Sequence, residues 1–149
     1  MSDLKRRIEE AVKDAMRARD RTRLGTLRLV TAEFKRVEVD ERIELDDARV
    51  LAILDRMLKQ RADSEAQYRD AGRGDLADAE AAESAVIREF MPAALTDEEI
   101  DARIDAAIAG TGAASMREMG SVMAALKPEL QGRADMGAVS GRVRARLGG

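Results

Sequence analysis

The chain has 149 residues, of which 45% are hydrophobic and 37% charged, with a formal net charge of -3. That is enough apolar material for one domain or for a core with a small appendage, and too charged and too interrupted for a membrane span of about 20 residues. Histidine and cysteine are both absent, which excludes disulfides, Cys/His zinc sites, thiol nucleophiles and any imidazole base. With no apolar signal core in MSDLKRRIEE, a cytoplasmic protein is expected.

The periodicity is helical throughout, so the expected fold is all-α. Leu4, Ile8, Val12 and Ala15/Met16 recur at helical spacing and give a first helix from Asp3 to Arg19, broken at residues 20–22. Leu24, Leu27, Val30, Phe34 and Val37 make the stripe of a second helix, in which Gly25 is expected to mark close helix packing. Asp46 caps a third helix, with Leu45 and Val50 as a hydrophobic staple. Its stripe of Val50, Ile53/Leu54, Met57, Arg61, Ser64 and Tyr68 turns polar in its second half, which must meet water or a polar partner, and Ala71-Gly72 ends it. Asp75 is expected to cap a fourth helix through Leu76, Val86/Ile87 and Phe90, stopped at Met91 by Pro92. Thr96 to Glu99 and Ser115 to Glu118 are capping boxes opening two more helices, and Asp135 caps a last one through Met136, Val139, Val143 and Leu147. The expected architecture is a four-helix bundle-like domain over 1–91 and a three-helix tail domain over 95–149, with a hinge at 91–96.

Charge is unevenly spread. Residues 1–38 carry 11 Lys/Arg against 7 Asp/Glu, residues 39–91 carry 8 against 14, and residues 92–149 carry 7 against 8. Arg21, Arg28 and Lys35 stand seven apart, hence close to one line along the second helix, with Arg17 and Arg19 as extensions. Such a face either holds phosphates, without reading sequence, or is a solvated cationic surface. The tail offers a second basic group in Lys127, Arg133 and Arg142, with Arg144 and Arg146, around a helix start that suits an anion but that Asp135 can itself occupy. The aromatic residues are Phe34, Tyr68 and Phe90, too few for a base-stacking platform, so any RNA is held by backbone and shape. Carboxylate pairs such as Glu80/Glu83 and Asp101/Asp105 share helix faces but read as solvated surface; no catalytic residue, metal site or cofactor is expected.

Two stretches carry a family resemblance. One comprises Lys59-Gln60-Arg61, Asp63-Ser64, Ala71-Gly72-Arg73, Asp75-Leu76, Glu80, Glu83, Phe90-Met91-Pro92 and Leu95. The other is Met119-Gly120-Ser121-Val122-Met123, Leu126, Gly132-Arg133-Ala134-Asp135 and Val139-Ser140. Together they resemble a YqeY-like protein along the length of the chain. YqeY-like proteins are similar to the carboxyl-terminal helical and tail part of the B subunit of the tRNA-dependent amidotransferase, whose transamidation centre lies in a separate cradle domain. The resemblance therefore implies tRNA gripping, with tRNA or an aminoacyl-tRNA-handling protein as partner. The carbon-nitrogen ligase label would be inherited from the longer relative, and no amidotransfer by these residues alone is implied. Phe90-Met91 stands where the family usually has Tyr-Leu, and Met136 where glycine is common. A helical adaptor that docks protein through the polar half of the third helix and the tail is the competing expectation.

Overall fold

The computed structural model describes residues 2–148, which form two compact units divided between Met91 and Pro92. Among these residues the regular elements are seven α-helices and one short 3-10 turn, so the protein is all-α.

The first unit is built from α1 (Asp3–Ala18), α2 (Arg21–Glu41), α3 (Asp47–Asp70) and α4 (Gly74–Arg88). Three of its helices start on side-chain caps, each satisfying a backbone donor that the helix cannot. Ser2 Oγ accepts from Lys5 N–H at 3.0 Å, Asp20 from Arg23 N–H at 3.1 Å and Asp46 from Arg49 N–H at 2.8 Å. Because Asp20 caps α2, the break is confined to residues 19 and 20, and Arg21 and Thr22 are already helical. The fourth helix departs from expectation at its start. Its cap position is Arg73, without a side-chain cap bond, and Asp75 lies in the first turn, 3.2 Å from the Arg73 guanidinium. The reason is the turn before it: Arg73 N–H donates to Tyr68 O at 2.8 Å around left-handed Gly72, which delivers the chain into α4 two residues earlier.

Ile8, Leu27, Phe34, Leu54 and Ile87 are almost wholly buried at the centre of this unit. Leu45 and Val50 are buried together beside the α3 cap, as the staple requires. Of the pair Ala15/Met16, Ala15 faces the core and Met16 is 52% exposed. Gly25 does not mark close packing: it is exposed, and a Cβ added there would meet nothing within 4 Å. The polar half of α3 finds its polar partner in α4, where Arg61 Nε donates to Glu83 Oε2 at 3.0 Å and Arg69 to Asp78 at 3.2 Å.

The second unit holds α5 (Asp97–Thr111), a 3-10 turn (Met116–Glu118), α6 (Met119–Leu130) and α7 (Met136–Gly148) around Ile104, Val122, Leu126, Leu130, Val139 and Val143. The Thr96 box is complete, with Glu99 N–H donating to Thr96 Oγ1 at 3.1 Å and Thr96 N–H to Glu99 Oε1 at 3.3 Å. Leu95 and Ile100 are both buried in this core. At the second box Glu118 accepts from the Ser115 N–H at 3.2 Å and from the Ala114 N–H, and the box opens the 3-10 turn before α6 begins. Residues 93–95 of the expected hinge are tied into this unit: Leu95 N–H donates to Arg133 O at 2.9 Å, and Arg133 Nε to Ala93 O at 3.2 Å.

Candidate nucleic-acid interface

The core face of α2 is set by Thr26, Leu27, Val30, Phe34 and Val37, all buried. At about 100° per residue, Arg21, Arg28 and Lys35 fall on the opposite side, drifting by about 20° per heptad. All three are exposed, and none has a carboxylate partner among the described residues. Gly25 and Ala32 lie between them on the same outer side, so little side-chain bulk stands in front of the cations.

What gives this row its field is the fate of the acidic groups on the same helix. Glu33 is bound by Arg36, with Nε 3.1 Å from Oε2, and Asp40 by Arg36 at 3.0 Å. Glu38 accepts from Lys5 Nζ at 3.0 Å and from Leu45 N–H at 3.1 Å, and Glu41 pairs with Arg49. Each carboxylate of α2 is therefore neutralised by a cation outside the row. Hydrogen bonding from Arg36 holds Glu33 below the usual carboxylate range, and Lys5, then the Leu45 N–H, do the same for Glu38. The Glu38 bond in turn raises Lys5. Arg28 and Lys35 also line an open groove of about 620 Å³ between α1 and α2, with Lys5, Lys13, Glu9 and Glu38 among its other walls. Lys5 and Lys13 are already paired, with Glu38 at 3.0 Å and Glu10 at 3.3 Å.

The depressed Glu38 gives an acid-side prediction. A carboxylate whose folded pKa lies below its unfolded value contributes stability above the unfolded value, and the contribution disappears as pH falls through the folded one. Glu38→Gln is expected to unfold at lower denaturant at pH 7 by about 1 kcal/mol. The gap between variant and wild type should close as the pH falls below the usual glutamate range. Denaturant melts at pH 7 and pH 3 check this, and a gap that stays constant with pH would refute it.

The tail residues have a different fate. Lys127, in the last turn of α6, is exposed and has no carboxylate partner among the described residues. Arg133 clamps the 93–95 segment as described. Arg142 is divided between Asp97 Oδ1 at 2.7 Å, Asp101 Oδ1 at 3.0 Å and the Asp97 carbonyl, and those carboxylates, Asp101 foremost, raise its pKa. Arg146 joins the same ladder through Asp101 at 3.2 Å and through Asp105. Asp135 fills the start of α7, accepting from Gly137 N–H at 3.0 Å. Of the carboxylates singled out as possible bases, Glu83 is engaged by Arg61 and Asp101 and Asp105 by the α7 arginines, while Glu80 has no ion-pair partner among the described residues. The structure thus brings Arg21, Arg28 and Lys35 into one free row, leaves Lys127 free in the other unit, and commits Arg133 and Arg142 to the tail's own packing.

Sequence reading overlooked one member of the α2 series. Arg42 follows Lys35 at the same interval of seven, is exposed and has no carboxylate partner among the described residues, and extending the period by one step would have found it. Arg17, by contrast, is held by Asp14 at 3.1 Å, while Arg19 is free of ion pairs among the described residues.

Comparison with known proteins gives a consistent family result. A protein-family model described as "Yqey-like protein" matches residues 5–147. The chain is 26% identical over 130 residues to "Altered inheritance of mitochondria protein 41, mitochondrial" of Pyrenophora tritici-repentis, an alignment covering 86% of this chain and 71% of that protein. It is 31% identical over 100 residues to the protein of the same name from Kluyveromyces lactis, covering 65% of this chain and 54% of that one. The chain therefore spans between 54% and 71% of the length of these relatives. No helix among the described residues is long and apolar enough to cross a membrane.

Proposed function

This chain belongs to the YqeY-like family, and from that premise we propose that it is a tRNA-binding accessory protein that grips RNA backbone along the outer side of α2. The observation that carries the reading is the imbalance on that helix. Its four carboxylates are all taken by other cations, while Arg21, Arg28 and Lys35 keep their donors for an external anion. Guanidinium forks and an ammonium group at three steps along a straight helix suit phosphates, and the absence of an exposed aromatic row leaves nothing to stack on bases. Resemblance to the tRNA-gripping part of the amidotransferase B subunit supports tRNA as the RNA. The chemistry assigned to these residues is binding, and amidotransfer is not part of the proposal. The compartment that goes with this reading is the cytoplasm, whereas the relatives' own names put those proteins in mitochondria.

Filter binding with bulk tRNA at 50 and 200 mM salt tests the reading. Three phosphate contacts give a slope of log affinity on log salt of about -2 to -3, so affinity should fall by roughly 20- to 40-fold over that interval. Binding that is absent at 50 mM, or indifferent to salt, would overturn it.

One observation favours a protein partner instead. Leu29 and Val39 on α2 are 49% and 65% exposed, beside the cation row. An aminoacyl-tRNA-handling protein with an acidic, partly apolar helix would fit that mixture. A salt-resistant complex with such a protein, formed by a chain that ignores tRNA, would decide for this second reading.

A further inference from the structure

We infer that Arg19 and Arg42 are two further phosphate ligands, one at each end of α2, held at backbone positions that favour glycine, and that the ligand they share is a nucleic-acid duplex long enough to bridge them. This rests on the reading of α2 as an RNA-backbone surface.

Both residues are left-handed, with φ of 57° and 53°. At Arg19 the chain leaves α1 through a Schellman turn, in which Arg19 N–H donates to Met16 O at 3.2 Å and Asp20 N–H to Ala15 O at 3.0 Å. At Arg42 the chain leaves α2 similarly, with Ile43 N–H donating to Glu38 O at 3.2 Å. The same molecule supplies the comparison. The corresponding turns after α3 and α5 carry Gly72 and Gly112, with φ of 72° and 68°, and the left-handed residue after α6 is Gly132. A Cβ is disfavoured in this region, which is why helix ends of this kind select glycine. Among the described residues arginine replaces it only at the two ends of the helix that carries the cation row, and neither arginine has a carboxylate partner there. A cation near a helix end also gains from the helix dipole; α1 already has Arg17 in its last turn, whereas α2 has no basic residue in its own, so at Arg42 the dipole gain adds to any ligand contact.

From Arg21 to Arg42 the row extends about 31 Å at 1.5 Å per residue. The A-form duplex that RNA adopts rises less per base pair than the roughly 3.4 Å step of B-DNA, so about ten base pairs or more are needed to run the length of the row. A stem of five base pairs, at most about 17 Å long, reaches only part of it.

The test uses the full chain, fluorescence anisotropy with a 20-base-pair RNA duplex and with a five-base-pair RNA hairpin, and salt from 50 to 200 mM. Arg19→Gly/Arg42→Gly is expected to bind the duplex about tenfold more weakly, with a salt slope shallower by roughly two, and to bind the hairpin as wild type does. Its thermal midpoint should equal or exceed that of wild type, because the strained positions receive glycine, and Arg19→Lys/Arg42→Lys should recover duplex binding. Wild-type duplex affinity and slope in the glycine variant would overturn the inference while leaving the α2 reading intact. A loss of affinity accompanied by a lowered midpoint would overturn it too, assigning the arginines to the helix ends. If wild-type protein binds neither RNA at 50 mM, the α2 reading itself fails, and binding to polyglutamate in that case assigns the surface to an acidic protein.

Discussion

Replacing Arg21, Arg28 and Lys35 together by glutamate lowers tRNA affinity by on the order of 100-fold or more at 50 mM salt, and flattens the salt dependence by about two to three units of slope. Each of the three contributes a contact of about 1 kcal/mol to an anionic surface, and reversal adds repulsion to the loss. The fold should survive. The residues are exposed, glutamate is a good helix former, and a carboxylate at position 21 stands in the first turn of α2, where the dipole favours it. Arg17→Glu is the matched control, because that guanidinium is already held by Asp14 at 3.1 Å and has little to give an external phosphate. Circular dichroism and filter binding on the same preparations read both halves of the expectation. A triple variant that keeps wild-type affinity within about threefold would remove α2 as the binding surface.

The second large effect is on stability and comes from the seam between α3 and α4. Arg61 is 12% exposed and Glu83 30%; the guanidinium donates to Glu83 at 3.0 Å and to the Met57 carbonyl at 3.3 Å. Glu83→Ala leaves a nearly buried cation with one carbonyl for company. A fully buried pair broken in this way costs about 3–5 kcal/mol, and the partial exposure of Glu83 brings the expectation to about 2–3 kcal/mol. In a unit of this size that lowers the thermal midpoint by about 10 °C or more. The double substitution Arg61→Met/Glu83→Leu removes both charges and fills the same space, so it should cost less than Glu83→Ala alone. If the double costs more than the single, the pair contributes net energy that apolar packing cannot replace. Neither variant touches the α2 row, so tRNA binding below the midpoint should be unchanged.

Local signals account for most of what the sequence disclosed about the fold. Asp46 before an apolar period and Thr96 with Glu99 three residues on each act within one turn of chain, and each appears in the structure with its hydrogen bonds, whereas α4 ends at Arg88, three residues short of the Met91 stop expected from Pro92, and the chain reaches Met91 through turns. Asp75 misled because Gly72 sets where α4 begins, so the nearest good capping side chain was not the residue at the cap. Gly25 misled because a glycine inside a helix says that bulk is missing without saying on which side; here it is the outer one. The cation row was legible because seven residues nearly close two helical turns. What was not legible is which cations remain free. Arg142 and Asp101 are 41 residues apart, Arg133 and Ala93 40 apart, and nothing in a chain so rich in both signs of charge fixes those pairings before the helices are packed. Left-handed arginines were hidden for the complementary reason, since the residue that announces such a turn is glycine.

The ladder of Arg142 and Arg146 against Asp97, Asp101 and Asp105 adds ion pairs between α7 and α5 to the apolar grip that Val139 and Val143 give α7 and that Val122, Leu126 and Leu130 give α6 in the centre of the tail. At molar electrolyte the screening length shrinks to about 3 Å, which slackens exposed ion pairs and leaves hydrocarbon contacts in place. Raising salt is therefore expected to weaken the proposed RNA contacts of one unit and, separately, the α5–α7 ion pairs of the other, while the apolar contacts of α7 hold. A spectroscopic probe on α7 would resolve the two events even where a single binding curve merges them.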